Sequence, residues 1–206
     1  MRFPTALAAC AALVIAACGN AIASGPASGM AERVQPATGE AVAVFAGGCF
    51  WCIESELEEL DGVRSVLSGY TGGTTPDPHY GKMGDHAEAV EVIYDPQTVS
   101  YDKLLKVFWS NIDPTDEGGQ FFDRGQQYRT AIFVLDDEQR ALAEASLERN
   151  NARVGKPIVT AILPATTFYP AEEYHQDYYL KQPERYEAYK KGSRREETLG
   201  KIWGEE

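Results

Sequence analysis

The sequence predicts a single-domain α+β fold, with strands and helices interleaved along residues 41–190. The chain has 206 residues and a hydrophobic content of 44%, which suits one domain with a substantial core, because domains typically contain about 50 to 250 residues. Short apolar runs typical of strands alternate with segments whose apolar residues recur at helical spacing. This interleaving indicates one domain of mixed α and β structure.

Residues 1–23 precede this domain and are predicted to be an export signal. Arg2 is followed by an apolar stretch, residues 6–17, which is shorter than the roughly 20 residues that an α-helix needs to span a bilayer. Two cleavage patterns compete. Residues 15–19 resemble a bacterial lipobox with Cys18 as the lipidated first residue, which would anchor the protein to a membrane, whereas residues 21–23 form an A-x-A site that would remove Cys18. Both predict a location in the bacterial cell envelope, in the periplasm.

Residues 24–40 are rich in Gly, Ala, Ser and Pro and are predicted to be a flexible tether. The first strand, residues 41–46, is apolar and ends at Gly47-Gly48. A helix follows directly, because the next apolar positions share one helical face and Asp61-Gly62 supplies a stop. Those positions are Cys49, Cys52, Ile53, Leu57 and Leu60. Cys49 is therefore predicted at the helix N-terminus.

Residues 63–70 are predicted to be a strand, residues 71–85 a long loop, and residues 86–94 a strand with Glu88 near its start. Ser100 is suited to cap a helix that ends at Asp113-Pro114. A strand at 128–135, a helix at 137–150, a strand at 157–163 and a Tyr-rich helix at 172–182 complete the domain. Residues 191–206 are predicted to be a charged, exposed tail.

The charge of the chain limits its partners. A formal net charge of −12 and a pI near 4.7 argue against nucleic acid, which requires Lys and Arg gathered on a basic face. Small molecules or peptides are the expected partners.

The cysteines of the domain indicate a chemical role and not a structural one. Cys10 lies in the signal, so only Cys49 and Cys52 belong to the folded part. A structural disulfide across so short a loop would stabilise the fold only weakly. The C-x-x-C spacing places both thiols on one helical face and favours a redox role. The alternative is a zinc site with His79 and His86, although the intervening Phe50-Trp51 suits an apolar pocket better.

Cys49 is the predicted nucleophile. A thiol reacts as its thiolate, and the positive end of a helix dipole favours an anion there, so that the thiol pKa falls to about 3.5–7.5. The two preceding glycines allow a sharp turn and a close approach by substrate.

The sequence resembles the A-type peptide-methionine sulfoxide reductases. The resemblance begins with Gly48-Cys49-Phe50-Trp51-Cys52-Ile53-Glu54 and continues in the family's order to about residue 180. The other matching segments are residues 68–73, 78–80, 86–88, 94–96, 123–129 and 168–176. Any one segment could match by chance, but so many in the same order are highly specific. The resemblance implies a two-layer α/β sandwich with a mixed central sheet, a ferredoxin-like core and long functional loops.

The resemblance also implies an activity. Cys49 attacks the sulfur of a methionine sulfoxide of the S epimer, methionine is released and Cys49 becomes a sulfenic acid. Glu88 matches the family's acid, which protonates the departing oxygen. The other matching site residues are Tyr80 and Tyr128, which hold the sulfoxide oxygen, Asp123, a carboxylate of the same site, and Phe50 and Trp51, which form the pocket for the S-methyl group.

The sequence departs from the family in two places, one in a loop of the site and one in the tail, where many members have the cysteine that helps to reduce the oxidised enzyme. The stretch between Tyr80 and Glu88 is shorter than in many members, and the tail contains no cysteine. Cys52 is the only internal candidate for a resolving thiol. The resemblance then implies a Cys49–Cys52 disulfide that an external thioredoxin-like dithiol protein reduces, with no bound cofactor or metal. The expected role is repair of oxidised proteins under oxidative stress.

Two other classes of function remain open from the sequence. A thiol–disulfide oxidoreductase or a thiol peroxidase could use the same C-x-x-C motif, but neither needs an acid such as Glu88 placed against an oxygen. A non-catalytic envelope module with a structural disulfide would have an unreactive Cys49. The sequence does not identify the physiological reductant, the protein substrates or the oligomeric state.

Overall fold

The computed structural model describes residues 29–204. The predicted export signal, the Cys18 lipidation site and the first part of the tether lie outside the described residues, as do the last two residues. Within residues 29–204, no helix is both long enough and apolar enough to cross a membrane.

A six-stranded mixed sheet forms the centre of the domain. Its strands, in sheet order, are β7 (Ala161–Pro164), β6 (Thr130–Val134), β1 (Ala41–Gly47), β3 (Ala87–Tyr94), β2 (Val63–Thr71) and β8 (Tyr169–Pro170). Only β6 and β7 pair in parallel, and every other neighbouring pair is antiparallel. A separate short hairpin consists of β4 (Gly119–Gln120) and β5 (Asp123–Arg124). The predicted strands all form, although the strand predicted at residues 157–163 begins only at Ala161, and β8 and the hairpin were not predicted.

Three of the six α-helices within residues 29–204 cover one face of the sheet, which confirms the two-layer arrangement. The helices are α1 (Phe50–Glu58), α2 (Tyr101–Ser110), α3 (Asp137–Val154), α4 (Tyr178–Lys181), α5 (Pro183–Gly192) and α6 (Arg195–Trp203). The main core joins Phe45 and Val92 of the sheet to Leu57 of α1, Phe108 of α2 and Ala143 of α3. The spatial order β6-β1-β3-β2, with α1 after β1 and α2 after β3, is the expected ferredoxin-like core.

Strand β3 places Glu88 beneath the start of α1. Every residue of β3 is buried, and on the face opposite the helices Val44, Ala89 and Phe133 of the sheet form a second apolar cluster with Phe168. Glu88 pairs with Tyr70 of β2, and side chains alternate between the two faces of a strand. Glu88 therefore shares the helix face with Val90 and Val92.

The turn between β1 and α1 requires glycine. Gly48 has a φ of +82°, and a Cβ atom there would lie 2.5 Å from the Cβ of Gln120. At Gly47 a Cβ atom would lie 2.6 Å from the Ile53 side chain. L side chains avoid positive φ, so Gly48 allows the tight turn and Gly47 allows the close packing of Ile53, and together they place Cys49 at the N-cap of α1.

The described part of the predicted tether, residues 29–40, contacts the domain and corrects that prediction. The Ala31 N–H donates to Ala171 O at 3.0 Å, and Arg33 forms a salt bridge with buried Glu91 of β3. Arg64 donates to Gln35 O at 2.9 Å. Composition suggested flexibility, but backbone pairing and the carboxylate of Glu91 hold this segment on the sheet.

The predicted helix at 172–182 is interrupted, which is a second correction. A 3-10 turn, Glu173–His175, is followed by the four-residue helix α4. The Gln176 side chain accepts from Ser68 N at 2.9 Å and donates to Ser68 O at 3.0 Å, and Asp177 has a φ of +49°. These contacts with β2 replace the helical hydrogen bonds that the sequence pattern suggested.

The C-terminal segment is a docked helix and not an exposed tail. In α6, the Trp203 indole N–H donates to Ile112 O at 3.0 Å, and the guanidinium of Arg195 donates to Asn111 O at 2.6 Å. Arg195 is only 2% exposed, with its guanidinium 4.5 Å from the centre of the Phe121 ring. Buried Trp203 and Arg195 thus attach this segment to the residues that directly follow α2.

Candidate active site

A small pocket opens where the start of α1 faces the start of β3. Its lining side chains come from six parts of the chain that the fold brings together, including the long loop before β3 and helix α5. They are Cys49, Phe50, Trp51, Tyr80, Glu88, Asp123, Tyr128 and Tyr189. The sequence had singled out all of these except Tyr189. Cys52, the remaining candidate, lies behind the pocket in a buried cluster with Cys49 and Tyr186.

Cys49 is a free, buried thiol at the N-cap of α1, with 5% of its surface exposed. Burial is the main cause that raises its pKa well above the usual value, and the neighbouring Cys52 and Glu88 raise it further. The predicted lowering of this pKa by the helix N-terminus is therefore wrong for the protein without substrate. The N–H of Phe50 at the start of the helix is directed instead to Glu88 Oε2, at 3.2 Å.

Glu88 is buried beside the nucleophile, with 2% of its surface exposed. Burial raises its pKa to about 8, and the charges of Asp123 and Cys52 act in the same direction, whereas the hydrogen bond from Phe50 N opposes them. A carboxyl with this pKa carries a proton at neutral pH, which is the form that a general acid needs.

Tyr80 and Tyr128 bring two hydroxyls into the pocket. Burial raises the pKa of both, so both remain protonated and able to donate a hydrogen bond. Tyr80 lies at the mouth and is 45% exposed, and its loop is held by Glu172, which accepts from Tyr80 N at 2.9 Å and from the Tyr70 hydroxyl at 2.9 Å. Tyr128 ends a 3-10 turn that precedes β6.

Aromatic rings form the apolar side of the pocket. Phe50 is fully buried, and Trp51 stacks on Tyr178 with ring centres 3.9 Å apart and planes 9° apart. The His175 ring lies 5.0 Å from Phe50 and 4.5 Å from Tyr80. Burial lowers the pKa of His175 to about 4, so this imidazole is neutral and packs against the aromatic rings of the wall. The wall suits a small apolar group such as an S-methyl.

Asp123 and Tyr189 form the polar end of the pocket. Asp123 lies in the β4–β5 hairpin, and burial raises its pKa. The Tyr189 hydroxyl donates to Asp123 Oδ2. Tyr189 belongs to α5 and could have been noticed because Tyr186 precedes it by one helical turn, so that both rings share one face.

Cys52 lies one turn along α1 from Cys49 and is fully buried. The hydrogen bond from Cys49 is the main cause that lowers the pKa of Cys52 to about 7, and the positive charge of Arg195 adds to this lowering. Behind Cys52, the Ser55 and Tyr186 hydroxyls are hydrogen-bonded at 2.7 Å. The two thiols are adjacent and free, as a dithiol ready for oxidation requires.

The alternative zinc site is not assembled. His86 accepts from Gly73 N at 3.2 Å through Nδ1, and its Nε2 lies 2.8 Å from Thr75 O. His79 is on the loop surface, with Nδ1 3.1 Å from Tyr80 O. Among residues 29–204, no group of three or more His, Cys, Asp or Glu side chains is placed to hold a metal ion.

Known proteins match both the sequence and the fold. The family model described as "Peptide methionine sulfoxide reductase" matches residues 41–206, which include the whole pocket and α6. The peptide methionine sulfoxide reductase MsrA of Bacillus licheniformis is 51% identical over 181 residues, which are 85% of this chain and 97% of the relative.

Two solved structures are similar to this fold. Reduced Mxr1 from Saccharomyces cerevisiae has a TM-score of 0.69 and 30% identity, covering 72% of this chain and 90% of the yeast chain. Methionine sulfoxide reductase A of Corynebacterium diphtheriae has a TM-score of 0.64 and 33% identity, covering 71% of this chain and 77% of that one.

Proposed function

The chain belongs to the peptide methionine sulfoxide reductase family and reduces methionine sulfoxide to methionine, and we propose that it acts on the S epimer, in proteins and as the free amino acid, through a sulfenic acid on Cys49. One observation carries the proposed mechanism. A buried thiol and a carboxyl that is protonated at neutral pH face the same small, aromatic-lined pocket. This pairing suits attack on a sulfur whose oxygen must gain a proton.

In the first step the substrate S-methyl group lies against Phe50 and Trp51, and the Tyr80 and Tyr128 hydroxyls donate to the sulfoxide oxygen. The Cys49 thiolate attacks the substrate sulfur, and Glu88 supplies a proton to the oxygen. The oxygen ends on Cys49 as a sulfenic acid. The substrate sulfur gains two electrons and leaves as methionine, and Cys49 is oxidised by the same two electrons.

In the second step the Cys52 thiolate attacks the Cys49 sulfur. The sulfenic oxygen leaves as water after protonation, and a Cys49–Cys52 disulfide forms. The support is the adjacency of the two thiols and the lowered pKa of Cys52, since a thiolate is the attacking species in disulfide formation. A disulfide within one turn of helix requires local unwinding near residue 49.

A thioredoxin-like dithiol protein then reduces this disulfide by thiol–disulfide exchange. Mxr1 of Saccharomyces cerevisiae is also known in complex with Trx2, which supports a reductant of this class. No bound cofactor takes part in the proposed cycle, whose electrons come from the external dithiol. The role of the cycle is repair of oxidised proteins.

The activity test uses the purified protein with each epimer of a methionine sulfoxide peptide and dithiothreitol. We expect the wild type to reduce the S epimer and leave the R epimer unchanged, and Cys49→Ser to abolish the reaction. Undiminished reduction by Cys49→Ser would contradict the mechanism. Reduction of a disulfide substrate but of neither epimer would favour a thiol–disulfide oxidoreductase instead.

The resolving step is tested without reductant, by mass spectrometry after a single turnover. Cys52→Ser should release one methionine per enzyme and retain a sulfenic acid that dimedone labels on Cys49. The wild type should lose two hydrogens from the Cys pair and resist dimedone. An unchanged dimedone-resistant product in Cys52→Ser would exclude Cys52 as the resolving thiol.

We also propose that the protein works in the cell envelope, in the periplasm. The support is the N-terminal sequence, in which Arg2 precedes an apolar stretch and both candidate cleavage sites. Expression of the full chain in a bacterium, followed by fractionation and mass determination of the mature N-terminus, distinguishes the two sites. A lipid mass on Cys18 supports the anchored form, a start at Ser24 supports the unanchored form, and an uncleaved chain in the cytoplasm contradicts the location.

A further inference from the structure

Three exposed aromatic rings lie around the opening of the pocket. Besides Tyr80 at the mouth, Phe122 and Tyr174 are 62% and 59% exposed. Every other Phe, Tyr and Trp within residues 29–204 is buried or half-buried. Exposed apolar side chains that are grouped at one place mark a contact surface, whereas single ones scattered over a protein do not. The surface next to the pocket is therefore a candidate binding surface.

The β4–β5 hairpin holds Phe122 at the polar end of the pocket. Phe122 directly precedes Asp123, which lines the pocket, and a Cβ atom at Gly192 would lie 3.5 Å from the Phe122 ring. Gly192 is one helical turn beyond Tyr189, another pocket residue, on the same face of α5. The Phe122 ring therefore lies against the end of α5, next to the pocket.

The turn that presents Phe122 is strained. Phe121, the other residue of the turn, has a φ of +53°, a left-handed conformation that bulky L side chains rarely adopt. The buried Arg195 guanidinium, 4.5 Å from the centre of the Phe121 ring, holds that ring in place. Strain that the surrounding structure maintains is common at functional sites. Here its result is that Phe121 packs on Arg195 while Phe122 faces solvent.

Tyr174 lies at a different border of the opening. Its ring centre is 4.2 Å from that of His175, which in turn is 4.5 Å from that of Tyr80. The three rings form a continuous row that reaches the pocket through Tyr80, whereas Phe122 reaches it through Asp123. The pocket thus has an exposed aromatic ring beyond each of two lining residues.

We propose that Phe122 and Tyr174 bind apolar side chains that flank the oxidised methionine in a protein substrate. This inference rests on the proposed function and names its substrate class, an extended, unfolded segment with apolar neighbours. The occupant follows from continuity with the pocket, because a methionine sulfoxide within a peptide brings its neighbours to the mouth. Such segments are buried in folded proteins and become accessible when an oxidised protein unfolds.

The geometry of an extended chain predicts which neighbours make contact. Successive side chains point to opposite sides, so the residues two positions before and two positions after the oxidised methionine face the enzyme together with it. They lie about 6.5 Å from it along the chain. Side chains one position away face solvent. We therefore expect a preference for apolar residues at positions −2 and +2.

The test measures kcat/KM with dithiothreitol as the reductant. The substrates are N-acetyl-methionine sulfoxide and pentapeptides with the S-epimer sulfoxide at the centre, alanine elsewhere and leucine at one flanking position at a time. For the wild type, leucine at −2 or +2 should raise kcat/KM by about tenfold, the effect of burying roughly 50–60 Å² of apolar surface. Leucine at −1 or +1 should raise it by less than about twofold. The gain should appear in KM, because the contact is the same before and during the reaction.

Variants at the two rings assign the contacts. Both side chains are more than half exposed, so their truncation leaves the core unchanged. Phe122→Ala should remove the gain at one of the two positions, and Tyr174→Ala should remove the gain at the other. Phe122→Leu should keep most of the gain, because the contact is apolar and does not require a ring.

Leu135→Ala is the matched control. Leu135 is also an exposed apolar residue, but it follows β6 at the end of the strand away from the pocket residue Tyr128. This variant should keep every gain at the wild-type value. An equal loss in Leu135→Ala and Phe122→Ala would contradict a contact at Phe122.

The failures of this inference and of the proposed function are distinguishable. If the wild type reduces neither N-acetyl-methionine sulfoxide nor any peptide, the proposed function fails. If it reduces them but leucine at no position raises kcat/KM, or if Phe122→Ala and Tyr174→Ala lower kcat/KM equally for all substrates, the contacts with flanking residues are overturned. Intact gains in both variants, together with a raised KM for thioredoxin, would assign the rings to the reductant and also overturn them.

Discussion

Glu54 and Glu88 are two buried carboxyls in nearly the same state. Their exposed fractions are 0% and 2%, and burial raises the pKa of each to about 8. Each also accepts one backbone N–H at 3.2 Å, Glu54 from Asp177 and Glu88 from Phe50. By charge state and by burial alone, the two groups are equivalent candidates for a general acid.

Their surroundings are different. Glu88 faces the pocket with Cys49, whereas the carboxyl of Glu54 lies on the other side of α1, near Glu58, Asp177 and Ser68. A raised carboxyl pKa therefore reports burial. Only access to the nucleophile and to the substrate's oxygen gives such a group a catalytic role.

The largest expected effect separates these two carboxyls by activity. Glu88→Gln should lower kcat/KM for a methionine sulfoxide peptide by about 10²–10⁴, because the amide cannot give a proton to the oxygen. Glu54→Gln should lower it by less than about tenfold, since Gln keeps the shape and one acceptor. Steady-state assays of both variants provide the comparison. An equal loss of kcat/KM in both would contradict the assignment of the acid to Glu88 on the basis of its position in the pocket.

The pH dependence of the wild type sharpens the role of Glu88. The acid must be protonated, so kcat/KM should fall above about pH 8, where Glu88 ionises, by about tenfold for each pH unit. Glu88→Gln should lack this alkaline limb, and Glu54→Gln should retain it. An alkaline limb that persists in Glu88→Gln would assign it to a different group.

The pH dependence of the free energy of unfolding tests whether burial raises the pKa of these carboxyls. Because the pKa of Glu54 rises from 4.5 to about 8 on folding, the folded state binds the additional proton. Its stabilising contribution is full below about pH 4.5 and is lost as pH rises through about 8. Between pH 5 and pH 9, the free energy of unfolding of Glu54→Gln should therefore rise relative to the wild type, by more than about 1 kcal/mol.

Urea unfolding of the wild type and Glu54→Gln at pH 5, 7 and 9 measures this difference. Glu88→Gln should show the same trend, since burial raises its pKa to the same range. The two carboxyls would then agree in stability and differ in activity. A stability difference that does not change with pH would contradict the raised pKa of Glu54.

The smallest expected effect concerns a third buried carboxyl, Glu91, on the opposite face of β3. Arg33 pairs with it, and its Nε donates to Oε1 at 2.8 Å. Arg33→Ala should lower the free energy of unfolding by about 1 kcal/mol, because the arginine is partly exposed and solvent screens the pair. Activity should stay at the wild-type level. Lost activity with unchanged stability would link residues 29–40 to the pocket and not to the fold.

Much of the fold could be predicted from local patterns. The strand before Gly47-Gly48, the helix that begins after Cys49 and the helix capped by Ser100 all form as expected, and the Ser100 side chain accepts from Lys103 N. These elements follow from apolar spacing and from local hydrogen bonds, which depend on residues close in the chain.

The C-terminal third was predicted less well, because its structure depends on distant partners. Gln176 breaks the expected helix by bonding Ser68, 108 residues away. The charged tail is ordered by Trp203 and Arg195, whose acceptors Ile112 and Asn111 lie 91 and 84 residues away in sequence. Charge and composition describe the exposed side of such a segment and carry no information about what its buried side contacts.

The sequence by itself determined the family motifs, the two thiols of the domain and seven of the eight pocket side chains, because these depend on residue identity and short spacing. Only the tertiary structure decided the ionisation of those groups. Cys49 has a raised and not a lowered pKa because the fold buries it and gives the helix-start N–H to Glu88. Tyr189 joins the site because α5 packs against α1, and burial and long-range packing are properties of the whole chain.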